Sequence, residues 1–138
     1  MTTARALGIY TLLWFGLLAF AVLNGGVRDF VYGKGLDAST AHQISTLALC
    51  VVIVVYTWLA HRIWPIASAA LALVIGLLWM LLTVAFETWM ILSVMEEDFT
   101  VVLQSYDLTR GQLWPLVLVC TGVAPWLVRR IGQHRAGA

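Results

Sequence analysis

Charge is what this chain lacks most. Of its 138 residues, 8 are Lys or Arg and 7 are Asp or Glu, 11% in all, where soluble domains carry roughly 25%. A net charge of +1 with no basic run offers nothing to grip a phosphate backbone, so no nucleic-acid partner is expected. Cysteine is scarce as well: the 2 thiols, Cys50 and Cys120, lie inside apolar runs and form no C-x-x-C. That spacing gives no thiol-disulfide or cysteine-zinc motif and reads both as small core residues. The 3 prolines fall where helices tolerate or mark them: Pro65 where a helix can begin, Pro115 early in another, Pro125 where last turns loosen. G-x-S-x-G, H-E-x-x-H and P-loop patterns are missing, so hydrolase and nucleotide chemistry have no motif here. No cofactor is indicated.

What the chain has in quantity is hydrocarbon. Hydrophobic residues make up 62%, too much for a water-soluble protein of this size to hide. The bilayer is therefore the expected solvent and first partner. Four apolar runs divide the chain, from about Ala6 to Gly25, His42 to Ala60, Pro65 to Leu92, and Gln112 to Val128. Each can bridge roughly 30 Å of hydrocarbon at about 1.5 Å per residue. Only helices satisfy their own backbone within one segment in lipid, and strand alternation is absent. The expected fold is an all-α, four-transmembrane-helix bundle, one membrane domain over residues 1–138. Arg5 followed by apolar residues mimics a secretory signal, but the run is about the ~18 residues a span needs and is read as a retained helix.

Orientation follows from the basic residues. Arg5, Arg62, Arg129, Arg130 and Arg135 fall on the side of the termini, against Arg28, Lys34 and Arg110 on the other. The positive-inside bias then places both termini in the cytoplasm of a bacterial inner membrane. Trp58, Trp64 and Trp126 mark the inner interface and Trp89 and Trp114 the outer one, while Trp14 and Trp79 are deep enough to pack between helices. Of the two outer connections, Gly25 to Ala41 reads as a turn-rich loop around Asn24-Gly25-Gly26 and Gly33-Lys34-Gly35. Between Met95 and Arg110, Phe99, Val102, Leu103 and Tyr106 recur at helical spacing, which predicts a short amphipathic helix on the outer surface. Glu96, Glu97 and Asp98 suit its N-terminus, and Thr109-x-x-Gln112 reads as a capping box opening the last span.

The polar residues gather at the outer level. Asn24, Arg28 and Asp29 end the first span; His42, Gln43, Ser45 and Thr46 begin the second; Glu87 closes the third; Tyr106, Asp107, Arg110 and Gln112 lead into the fourth. Glu87 shares its helix face with Thr83 and Gly76, four and eleven residues back, and small residues mark faces where helices approach. That turns Glu87 into the bundle, where a carboxylate costs a few kcal/mol unless neutral or partnered. Arg28, His42 and Arg110 are the partners at that depth. The bland alternative is a register-fixing pair of Arg28 with Asp29 or Glu87, with His42 a helix-start residue. A metal set of His42, Glu87 and Asp107 is conceivable but has no spacing signature, and His42 and His61 stand about 28 Å apart along one helix.

Asn24-Gly25-Gly26-Val27-Arg28-Asp29, Ala41-His42-Gln43-Ile44-Ser45, Phe86-Glu87 and the stretch Tyr106-Asp107-Leu108-Thr109-Arg110-Gly111-Gln112-Leu113-Trp114 resemble recurrent segments of small uncharacterised bacterial four-span inner-membrane proteins. The likeness covers most of the chain. After Phe86-Glu87 the group's segment contains glycine and histidine, whereas Thr88-Trp89-Met90-Ile91-Leu92-Ser93-Val94-Met95 departs from it. The resemblance implies the four-helix architecture and the same polar residues, and no substrate.

Three functional expectations follow. The first is a periplasm-facing pocket of Asn24, Arg28, Asp29, His42, Gln43, Glu87, Tyr106, Asp107 and Arg110 that binds or transports a small anionic or zwitterionic ligand or a lipid headgroup. The second is an accessory subunit of a larger membrane complex, or a homo-oligomer. The third is an intramembrane enzyme using Glu87, Asp107 and His42 for acid–base work.

Overall fold

A computed structural model describes residues 1–104, 106–107 and 113–137. The described chain is helical with no strand: α1 (Thr3–Val27), α2 (Ala38–Ile63), α3 (Ala69–Trp89), the short α4 (Phe99–Gln104) and α5 (Trp114–Ala136). Four of these stretches are long and apolar enough to cross a membrane, and the protein is a multi-pass helical bundle. Its outer surface bears this out: Leu12 is 72% exposed, Leu81 59% and Val119 55%, a distribution that fits hydrocarbon as the surrounding medium. Successive long helices run in opposite senses, so both termini lie at one end. The opposite end is called distal below.

Helices α1 and α2 overrun their apolar windows at both ends and α5 at its C-terminal end, whereas α3 starts four residues inside its own, because backbone hydrogen bonding, not hydropathy, sets these limits. Thr2, Asp37 and Ser68 each turn a side-chain oxygen onto a first-turn N–H, of Arg5, Thr40 and Leu71 respectively, and so define three N-termini. The turn-rich loop expected from Gly25 is instead helical. α1 passes through Gly25 and Gly26, then widens into a π turn (Arg28–Tyr32) and a 3-10 turn (Gly33–Gly35). At the membrane boundary every peptide group still needs a partner, and the Arg28 N–H bonding back to the Asn24 and Gly25 carbonyls supplies continuity. Gly33 is required there, because a Cβ would collide with the Arg28 carbonyl oxygen.

Pro65 does not open α3. Residues 65–68 form a non-helical connection, three of whose peptide groups are satisfied by side chains of α2 and α5. Ile66 N–H donates to His61 Nδ1 at 3.2 Å, and the Arg129 guanidinium donates to the carbonyls of Ile66 at 3.2 Å and Ala67 at 3.3 Å. With those groups matched, Ser68 is the better helix start. Pro115 does sit in the first turn of α5, and α5 continues past the buried Pro125 to Ala136. The surface helix after α3 is shorter than its periodicity predicts: a π turn (Met90–Val94) precedes the six-residue α4. Val102 is buried, while Phe99 and Leu103 are 57% and 59% exposed. The Thr109–Gln112 capping box lies outside the described residues.

α5 packs along both α2 and α3, whereas α1 lies across α2 and α3 more sparsely. At the α3–α5 crossing Gly76 rests directly on the Gly122 backbone, the close approach that small residues allow between membrane helices. α1 is tied on by polar contacts. Tyr56 OH donates to the Leu13 carbonyl at 2.7 Å, Trp79 Nε1 to the Tyr10 carbonyl at 2.7 Å, and Trp14 Nε1 to Thr83 Oγ1 at 3.0 Å. Tyr10 OH closes the termini end on the Trp64 carbonyl at 2.9 Å.

Cys50 of α2 and Cys120 of α5 are free, half-buried and face each other across that interface. Mild oxidation in detergent is expected to join them within one chain, seen as a loss of two hydrogens in the intact mass. An oxidised sample that only dimerises through these thiols would place α2 and α5 otherwise.

Candidate functional site

The polar residues of the distal end surround a cavity of about 570 Å³ between α1 and the α2–α5–α3 layer, a size ordinary for ligand pockets of roughly 300–1,000 Å³. α1 supplies Asn24 and its π turn supplies Arg28 and Asp29; α2 supplies His42, α3 Glu87, and α5 Trp114. α1 packs through Ala6, Tyr10, Trp14 and Leu17, and the cavity begins at the Trp14–Leu17 end of that seam.

Two sides of the mouth differ in chemistry. On one, Arg28 Nε donates to Asp29 Oδ1 at 2.8 Å, and Arg28 Nη1 lies 3.4 Å from His42 Nδ1. A guanidinium can only donate, so Nδ1 is the acceptor and the imidazole proton sits on Nε2. That Nε2 is buried and has no partner among the described residues. Asn24 Nδ2 braces the same side by donating to the Ser45 carbonyl at 2.9 Å and its Oγ at 2.7 Å.

On the other side stands Glu87. Tyr106 OH donates to Glu87 Oε2 at 3.5 Å, and the buried indole N–H of Trp114 lies beside the same carboxyl. Burial and then the neighbouring Glu87 charge push the Tyr106 phenol above its ordinary pKa, so it stays a donor. The expected pairing of Glu87 with Arg28 is not made. Among the described residues Arg28 pairs with Asp29, because an adjacent carboxylate needs no helix to move.

Asn24, Arg28, Asp29, His42 and Glu87 therefore converge on one cavity, and Tyr106 reaches it through Glu87. Gln43 and Asp107 are half-buried and do not line it, and Arg110 lies outside the described residues. His42, Glu87 and Asp107 are not gathered as a metal set, since no three His, Cys, Asp or Glu side chains among the described residues are. Trp14, Thr83 and Trp114 also line the cavity and were not expected as part of the site. Trp114 reads from sequence as an interface anchor, and only its approach to Glu87 across the bundle changes that.

No family model, curated protein or solved structure matches this chain. The site is thus read from its own geometry.

Proposed function

We propose that this protein binds a small zwitterionic or anionic ligand, or a lipid headgroup, in the distal cavity, and that this end faces the periplasm of a bacterial inner membrane with both termini cytoplasmic. The observation that carries the reading is a carboxyl group, Glu87, lining a cavity that also holds Arg28 without pairing to it. An acid inside a membrane bundle is costly unless matched, and a ligand cation would match it. Arg28 is partly answered by Asp29. The charged lining described is one guanidinium and two carboxyls, so a zwitterion fits better than a purely anionic ligand. Basic residues at the termini end support the orientation. Of the acid–base set of the enzymatic alternative, His42 and Glu87 line the cavity and Asp107 does not.

Native mass spectrometry on protein gently extracted from its membrane tests this. Glu87→Gln is expected to weaken ligand retention about tenfold to a hundredfold, the scale of one charge-assisted hydrogen bond, with the fold kept. An unchanged ligand in that variant would remove Glu87 from the site. A stoichiometric protein partner with no bound small molecule would replace the reading by that of an accessory subunit.

A further inference from the structure

We infer that the occupant of this cavity is an amphiphile, a phospholipid whose headgroup carries a primary ammonium, with a hydrocarbon tail in the deeper half; the inference rests on the binding reading above. The cavity is more than a headgroup cup. Its lining on α2 runs from His42 to Ile53, eleven residues or about 16 Å at 1.5 Å each. Below the mouth the walls are Leu17, Leu18, Leu49, Ile53 and Val117.

The hydroxyls at that depth are already engaged. Thr83 Oγ1 donates to the Trp79 carbonyl at 2.7 Å and accepts from Trp14, and Thr121 Oγ1 donates to the Val117 carbonyl at 2.7 Å. Neither hydroxyl has a proton left to donate, so a polar solute reaching so deep would bear most of its desolvation cost; hydrocarbon would not.

The mouth offers the complementary half. Glu87, held in place by the Tyr106 hydroxyl, takes the ammonium. Arg28 and the unpartnered His42 Nε2–H take phosphate oxygens. The route in is lateral. Val22 lines the cavity yet is 64% exposed, and a Cβ on Gly26, also in the wall, would meet nothing within 4 Å. The cavity wall formed by α1 is therefore itself exposed there, and this is where a tail would enter.

The test uses the full chain, delipidated by detergent exchange and incubated with mixed micelles of phosphatidylethanolamine or phosphatidylglycerol, with retention read by native mass spectrometry. Phosphatidylethanolamine is expected to be retained preferentially and not displaced by glycerophosphoethanolamine, the same headgroup without tails. Leu18→Trp, which narrows the deep half, and Gly26→Phe, which blocks the side without touching the core, are each expected to reduce retention about tenfold by removing tail contacts. If glycerophosphoethanolamine displaces the lipid and both variants are silent, the cavity is a headgroup site alone. The inference then fails while the binding reading stands. Equal retention of phosphatidylglycerol overturns the ammonium assignment. If Glu87→Gln is silent as well, the lipid is merely annular and both fail.

Discussion

Gly76→Ala is expected to destabilise the bundle by about 3 kcal/mol, the upper part of the usual overpacking range. Ordinarily a helical glycine replaced by alanine gains up to about 1 kcal/mol from propensity, so the sign itself is informative. The reversal comes from what the added methyl meets: the carbonyl oxygen of Gly122, with its carbon at 2.8 Å. Backbone cannot rotate away, so α3 and α5 must separate along the seam that holds the α2–α5–α3 layer. Gly122→Ala meets the thioether end of Met80 instead, and methionine adapts, which predicts a cost of less than about 1 kcal/mol. Gly8→Ala meets nothing within 4 Å and serves as the control that shows the ordinary propensity gain of up to about 1 kcal/mol. Thermal unfolding in detergent, followed by tryptophan fluorescence, ranks the three. A Gly122→Ala protein less stable than Gly76→Ala would mean the crossing lies elsewhere.

Trp79→Ala is expected to cost about 3–5 kcal/mol, as large aromatic truncations in cores do, and to loosen α1 selectively. Trp79 is fully buried, its ring lies 5.9 Å from that of Tyr10, and its Nε1 donates to the Tyr10 carbonyl. α1 packs on α2 and α3 more sparsely than α5 does, so the loss falls there rather than on α5. Trp79→Phe removes the donor but keeps most of the packing. Its expected cost is about 1 kcal/mol or less, because interhelical hydrogen bonds in membranes average roughly 0.6 kcal/mol. Amide exchange resolves the two effects: α1 of Trp79→Ala should exchange faster while α5 stays protected. Uniform loss of protection would show that α1 is not a separable element. A loosened α1 should also enlarge the distal cavity, linking this packing residue to the binding site.

Much of the architecture is readable from the chain because its causes are local. Apolar run length and the need to close backbone hydrogen bonds in lipid yield four helices, and the helices extend over those runs. The convergence of Asn24, Arg28, His42 and Glu87 was legible too, since an even number of spans returns each polar end to the same level. Two local readings failed for a common reason. Gly25-Gly26 and Pro65 were judged by residue preference, whereas their conformations follow from groups elsewhere, such as Arg129 satisfying the carbonyls of Ile66 and Ala67.

The sequence by itself determined that this protein lives in a bilayer as four helices with its acids at the end away from its termini. Those properties need only hydropathy, charge and the hydrogen-bonding demand of each peptide group. Tertiary structure alone decided that Arg28 turns to Asp29 and His42 rather than Glu87, that Trp114 stands beside that acid, and that a cavity opens beneath them. Lipid tails are as apolar as the leucines on a helix face, so hydropathy does not say which face meets a neighbour. Helix rotation and crossing do, through contacts such as Gly76 on Gly122 and Trp14 on Thr83, between residues dozens of positions apart.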